Sequence, residues 1–343
     1  MKILYLSCHL VLEYDELRIL TELGHDVTVI GGYIDPRNPH VDTRPALNIE
    51  SNEQRRNKIH ELFNNNKNRG IPIEDCSNTL TGEIVNDYDC VYAMHKIEWI
   101  EKNWDVIKNK IVILRTIGQN LENNELLIKK YVQRGLKILR YSPKERELKN
   151  YAGEHGLIRF LKYKSDFNSR NLKNDRVITF GQNIFHRKNW CGSSIIESIS
   201  QKVPFKLFGP GNEKYEFSGG KLSYEQQLYE YSTSSCYLYT GTFPAQYTLN
   251  FIEAMISGIP IVSVGKQLSQ TFVEPYPFEV PDILDRVYGY YYDDVNSISD
   301  KLNNLLVDKK LNEEVSKKQI EVGSDLFSVE KNINNWQEFL NNL

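Results

Sequence analysis

Residues 240–263 read TGTFPAQYTLNFIEAMISGIPIVS. Tyr247 and Thr248 open a helix that carries Leu249, Ile252 and Met255 on one face. It stops at Gly258, the residue type a helix C-terminus takes in the left-handed region. Pro260 then begins a short apolar strand. A tight loop feeding a helix start aims free N–H groups and the positive end of the helix dipole at whatever lies in front of it, which suits a phosphate. The backbone amides of Tyr247, Thr248 and Leu249 are the candidate donors, and the Thr248 hydroxyl adds a cap or a phosphate bond. Glu253, further along the helix, is placed to accept from ribose hydroxyls. A glutamate between apolar residues on a buried helix face needs a partner. The plainer alternative is an ordinary helix and strand of an α/β domain.

Upstream, the same alternation repeats. VITFG after Arg176, a helix over 193–200, PFKLFG, a helix over 223–234 and CYLYT lead into the opening stretch. An earlier set begins at KILYLS (2–7), with a helix over 13–23 and a strand over 26–31. It continues with NDYDCVYAMH ending at His95, KIVILRT (110–116), a helix over 124–135, a strand over 137–142 and a further helix over 143–153. Between the sets, around 159–174, the pattern dissolves into charged residues. Two successive alternating sets predict an α/β protein with paired Rossmann-like halves. The halves are 1–165 and 170–325, followed by a final helix over 326–343 with Trp336, Phe339 and Leu340 on its apolar side. Residues 35–56 read as a long loop and 52–65 as a helix. The first strand runs into Ser7-Cys8-His9 instead of G-x-G-x-x-G, which disfavours a dinucleotide cofactor there.

Bulk composition narrows the class. The chain of 343 residues is long enough for two domains, its 40% apolar and 25% charged content is that of a soluble globular protein, and a net charge of −3 gives no overall pull toward nucleic acid or anionic lipid. Five scattered cysteines without C-x-x-C spacing suggest neither a disulfide framework nor a zinc site, so a reducing cytoplasm is the expected setting. No apolar run approaches the roughly 18 residues of a membrane helix, and the N-terminus reads as a core strand, not a cleavable signal.

The loop, helix, Glu-Ala-Met and Gly-Ile-Pro-Ile-Val of the opening stretch resemble the donor-binding signature of retaining GT-B glycosyltransferases. The resemblance implies two Rossmann-like domains facing each other across a cleft, with the final helix crossing back to the N-terminal domain. It implies that a sugar moves from a nucleotide diphosphate, a UDP-sugar being expected, to a hydroxyl with retention and without a metal or other cofactor. The family's later glutamate, which binds the ribose, falls on Glu253. The earlier one, which touches the sugar, falls on Ala245, so sugar recognition passes to Gln246 or to residues across the cleft. Where the family has G-R-x-x-x-x-K-G, FGQNIFHRKNW (180–190) keeps Gly181, puts Gln182 for the arginine, and offers Arg187 and Lys188 as cations for the charge on the departing diphosphate. A solvated basic turn is the alternative. Gly209-Pro210-Gly211 resembles the family's turn beside the base. No carboxylate pair is needed, because the donor phosphate itself helps take the acceptor proton.

On the N-terminal side His9, Glu13, His95, Arg115 and Gln119 lie just past strand ends, where an acceptor is expected. His95 is a substitute for the histidine that contacts the sugar in many of these enzymes. It reads equally well, as does His9, as a satisfied histidine. Arg115 is the strongest binding candidate, a guanidinium of fixed geometry. The acceptor is a hydroxyl on a glycan, a lipid-linked glycan or a modified DNA base. The DNA version arises because YTLNFIEAMISGIPIV also resembles phage DNA glucosyltransferases. It requires a basic groove, for which 134–149 and 159–164 are candidates or else solvated faces. Asp87-Tyr88-Asp89 matches the metal-binding D-x-D pattern but reads better as the turn before a strand. A nucleotide-sugar epimerase and a non-catalytic binder on the same fold are the competing classes.

Overall fold

Among the described residues, short β-branched and aromatic runs separated by helices give two wholly parallel sheets, whose strands, covered on both faces, need apolar residues at nearly every position. The computed structural model describes residues 1–30, 44, 45, 47, 61, 80–118 and 121–343. The expected loop over 35–56 and helix over 52–65 lie mostly, and Gln119 wholly, outside these described residues. The chain divides into one unit of Met1–Arg159 with Ile333–Leu343 and a second of Phe160–Asn332.

The first unit runs β1 (Lys2–Leu6), α1 (Leu10–Glu22), β2 (Asp26–Ile30), β3 (Cys90–Met94), α2 (Ile97–Ile107), β4 (Ile111–Arg115), α3 (Glu122–Val132), β5 (Lys137–Arg140) and β6 (Gly156–Leu157). Among the described residues the sheet order is β2-β1-β3-β4-β5-β6. All five residues of β3, CVYAM, are buried. Trp336 from the last helix is fully buried in this unit, tilted against Tyr92 at 6.3 Å between ring centres.

The second unit holds β7 (Asn174–Phe180), α4 (Ser193–Ser200), β8 (Phe205–Phe208), β9 (Ser218–Gly220), α5 (Tyr224–Thr233), β10 (Ser234–Tyr239), α6 (Leu249–Ser257), β11 (Ile261–Val264), β12 (Tyr291–Tyr292), α7 (Val295–Val307) and α8 (Lys309–Phe327); α9 (Val329–Asn341) starts here and ends in the first unit. Its sheet order is β12-β11-β10-β7-β8-β9. In both sheets the order reverses beside the unit's first strand, at β1/β3 and at β7/β10.

Two local expectations need correction. The helix over 143–153 is only a turn of 3₁₀ helix, Pro143–Glu147, because Glu145 turns back to accept from the amides of Tyr141 at 2.9 Å and Ser142 at 3.2 Å, after which Asn150 and Gly153 take positive φ. Helix α1 begins earlier than its periodicity suggests, at Leu10 with His9 as N-cap. Helix α6 is buried along most of its length, every residue from Phe251 to Ser257 being buried. Gly323 of α8 makes this possible, since a Cβ there would lie 2.8 Å from the Met255 backbone. The buried Gln319 side chain donates to Ala254 O and Ile259 O, satisfying carbonyls at the end of α6.

Candidate functional site

In an open parallel sheet, ligands sit beyond the carboxyl ends of the strands where the strand order reverses. In the second unit that point lies between β7 and β10. The chain leaves these strands as Gly181-Gln182-Asn183 and Thr240-Gly241, with Gly209-Pro210-Gly211 leaving the neighbouring β8. The sequence candidates of the C-terminal half therefore gather at one sheet end.

Two of these loops pack backbone to backbone. Gly209 has φ +128°, and a Cβ on it would fall 2.2 Å from the carbonyl oxygen of Gly181. Gly181 N donates to Phe208 O at 2.9 Å and Asn183 N to Pro210 O at 2.9 Å. Asn212, fully buried, clamps the pair: its Nδ2 donates to Gly181 O at 2.7 Å and Gly209 O at 2.9 Å, while its Oδ1 accepts from Ile184 N at 2.8 Å. Sequence reasoning missed Asn212; the only signal was its place after Gly-Pro-Gly. Replacing Gly209 by alanine should lower stability by about 1–3 kcal/mol through left-handed strain plus a backbone clash. Calorimetric melting would show this as a depressed Tm.

The basic turn is fastened to the opening stretch. Phe243 N donates to Trp190 O at 2.8 Å and Thr240 Oγ1 to Cys191 O at 2.6 Å. Trp190 itself is 50% exposed, edge-on to Phe243. Arg187 is half-buried and Lys188 exposed, and neither has an ion-pair partner among the described residues. Burial pushes the Cys191 thiol up, and the positive charge of Arg187 pulls it partly back.

At the start of α6, Thr248 occupies the N-cap position without a side-chain cap bond. Its N–H instead donates to Tyr239 Oη at 3.0 Å, and its Oγ1 accepts from Tyr239 at 3.2 Å. Phe251 N and Ile252 N both turn to Thr248 O. Among the described residues this leaves the amides of Leu249 and Asn250 as the helix's open donors. Asn250 Nδ2 ties the same turn to Phe180 O at 3.2 Å, at the end of β7. The expected amide donors thus shift: Leu249 remains and Asn250 joins it, while Thr248 is engaged. Tyr247 is buried between Phe160 and Phe327, and Gln246 is buried with its amide near Pro244 O at 3.5 Å. Ala245 lies in a tight bridge to Thr242, its N–H donating to Thr242 O at 2.8 Å.

Glu253 finds its partner inside the protein. Its Oε1 lies 2.9 Å from Lys162 Nζ, and its Oε2 accepts from Gln227 Nε2 at 2.8 Å and Tyr231 Oη at 3.3 Å. Lys162 is not part of a solvated face, as its charged neighbours suggested, but is buried.

In the first unit, His9 and His95 follow the ends of β1 and β3, the strands at which the order reverses, and Cys8 Sγ donates to Met94 O at 3.5 Å between them. His95 takes φ 62°, an uncommon region for a residue with a Cβ, and its N–H donates to Arg115 O at 2.8 Å. His9 is exposed. Glu13 and Arg115 are corrected: both are core residues. The Arg115 guanidinium pairs with Glu16 at 2.8 Å, donates to Arg140 O at 2.9 Å and Ile158 O at 2.7 Å, and lies 5.6 Å from the Trp336 ring centre. The basic stretch 134–149 is largely neutralised by acids: Arg140 pairs with Glu125 and Glu145, Lys144 with Glu147, Arg146 with Glu154 and Lys149 with Glu122. Asp89 accepts from Lys2 N at 2.8 Å, which explains half of the D-x-D match as strand-edge structure.

No protein-family model and no curated protein sequence matches the chain. Solved structures do. A glycosyltransferase from Rickettsia africae aligns with a TM-score of 0.67 at 12% identity, over 100% of this chain and 99% of that one. Anabaena Alr3699/HepE in complex with UDP and glucose aligns with 0.64 at 13% identity over 100% of both chains. An alpha-glucosyltransferase in complex with UDP and a 13-mer DNA containing an HMU base aligns with 0.59 at 11% identity over 99% of both. With two parallel sheets, each reversing beside its first strand, and matches that run the length of the chain, the protein has the GT-B fold of these glycosyltransferases.

Proposed function

We propose that the chain transfers a sugar from a nucleotide diphosphate, UDP being the expected nucleotide, to a hydroxyl acceptor with retention. What supports this is that the segments following the two strands of the β7/β10 reversal carry two cations without an ion-pair partner among the described residues, Arg187 and Lys188, after β7, and the open amides of Leu249 and Asn250 after β10. A diphosphate leaving group needs that combination: donors and positive charge already fixed where negative charge grows, costing little reorganisation during reaction. The side chains supply this charge without a divalent ion. The donor phosphate takes the acceptor proton as the bond to the anomeric carbon breaks, so no protein nucleophile is required. With Ala245 in place of the sugar-contacting glutamate, Gln246 is the candidate for sugar recognition in the second unit, and His9 and His95 are the candidates in the first.

The acceptor we propose is a glycan or lipid-linked glycan hydroxyl. The stretch 134–149 carries mostly paired charge, which favours this over a DNA backbone that requires free cations. Isothermal titration with UDP, GDP, ADP and their glucose conjugates tests the donor. UDP compounds are expected to bind in about the 1 μM–1 mM range usual for enzyme substrates, and no binding by any nucleotide would overturn the reading. Incubation with UDP-glucose alone should yield no epimer, and nucleotide release should rise only when an acceptor is added. Glycosylation of hydroxymethylated DNA in preference to glycans would reverse the acceptor assignment.

A further inference from the structure

We propose that Lys162 is a positioning residue for the nucleotide ribose. It keeps the Glu253 carboxylate charged and in one orientation, and so sets a preference for nucleotides bearing the full set of ribose hydroxyls. This rests on the nucleotide-sugar reading given above.

The geometry is that of a built site. Glu253 is 3% exposed and Lys162 is 2% exposed, with Nζ and Oε1 2.9 Å apart. Burying a lone carboxylate drives it to take up a proton, whereas a buried ammonium at hydrogen-bond distance holds it ionised. The charge state matters for recognition: an ionised carboxylate only accepts, which is what ribose hydroxyls need, while a protonated one is part donor. Orientation is fixed as well, because Gln227 and Tyr231 of α5 both donate to the other oxygen. Tyr231 Oη also bonds Asn250 O at 3.2 Å, linking the carboxylate to the turn whose amides are open.

Lys162 is itself held at both ends. Its N–H donates to Phe327 O at 2.8 Å and its carbonyl accepts from Val329 N at 3.0 Å, in a bridge beside Ser328 at the junction of α8 and α9. Phe160, two residues earlier, packs edge-on to Tyr247 at 6.3 Å, and Tyr247 meets Phe327 at 5.6 Å. The ammonium therefore arrives at Glu253 from a main chain that cannot slide without disturbing the loop leading into α6.

The test compares affinity for UDP and for 2′-deoxy- and 3′-deoxy-UDP by titration calorimetry, in the intact chain and in Lys162→Met, Lys162→Gln and Lys162→Arg. The unaltered chain should favour UDP over at least one deoxy analogue by about tenfold, the worth of a hydrogen bond to a charged acceptor. In the methionine and glutamine variants that preference should collapse toward onefold, with UDP affinity falling to that of the analogue. Arginine, keeping the charge, should restore most of it. Should the methionine variant not fold, the glutamine variant, which keeps a donor, carries the comparison. An undiminished preference in a folded neutral variant would make Lys162 purely structural and end the proposal. So would UDP binding without any preference in the unaltered chain. Failure of that chain to bind any nucleotide would instead defeat the donor reading itself.

Discussion

Replacing Arg187 and Lys188 together by alanine should reduce turnover with a UDP-sugar by about 10²–10³-fold, the loss typical when a preorganised group facing developing charge is removed. The reasoning is differential. In the ground state the diphosphate charge is already spread over its oxygens, but as the sugar departs the terminal phosphate gains charge, and the two cations interact more strongly at that moment. The fall should therefore appear mainly in kcat, measured as nucleotide release at saturating donor. Stability should hardly move, because neither side chain has an ion pair to lose among the described residues and surface substitutions usually stay within about 0.5 kcal/mol. Arg187→Lys alone should restore charge without the planar fork, giving a partial loss. A double variant turning over within tenfold of the unaltered chain would remove this turn from the chemistry.

The features legible in the sequence are those that local chemistry dictates. The Thr248 entry, the Gly258 stop and the strand after Pro260 follow from backbone preferences, and the structure places α6 at Leu249–Ser257 with Gly258 at φ 78°. The strand runs followed from apolar length, and with them the sheet ends at which Gly181, Gly209, Arg187 and Leu249 gather. What stayed hidden depends on distant partners. Asn212 reads as one more turn asparagine until Gly181 and Ile184, far back in the chain, close on it. Lys162 reads as solvated charge because nothing nearby in sequence announces Glu253. Arg115 misled for the complementary reason: a cation at a strand end is where ligands are bound, but it is also where a buried guanidinium can gather carbonyls left by neighbouring strands.

That distinction for Arg115 has a measurable consequence. Arg115→Met should lower the free energy of unfolding by about 3–5 kcal/mol, the usual cost of leaving one partner of a buried ion pair behind. Glu16 would then hold an uncompensated charge against the hydroxyls of Tyr5 at 3.0 Å and Tyr92 at 2.8 Å. The carbonyls of Arg140 and Ile158 would also lose their donor, and Trp336 the cation beside its ring. Against a total stability of about 5–15 kcal/mol this is a large fraction, visible as a lowered urea midpoint. Adding Glu16→Gln should recover a substantial part of it, because removing both charges costs less than stranding one. A binding arginine would behave oppositely: the single variant would fold normally and show its defect in acceptor KM. A near-unchanged urea midpoint with a raised KM would return Arg115 to the acceptor site and put the carbonyl cage in the wrong role.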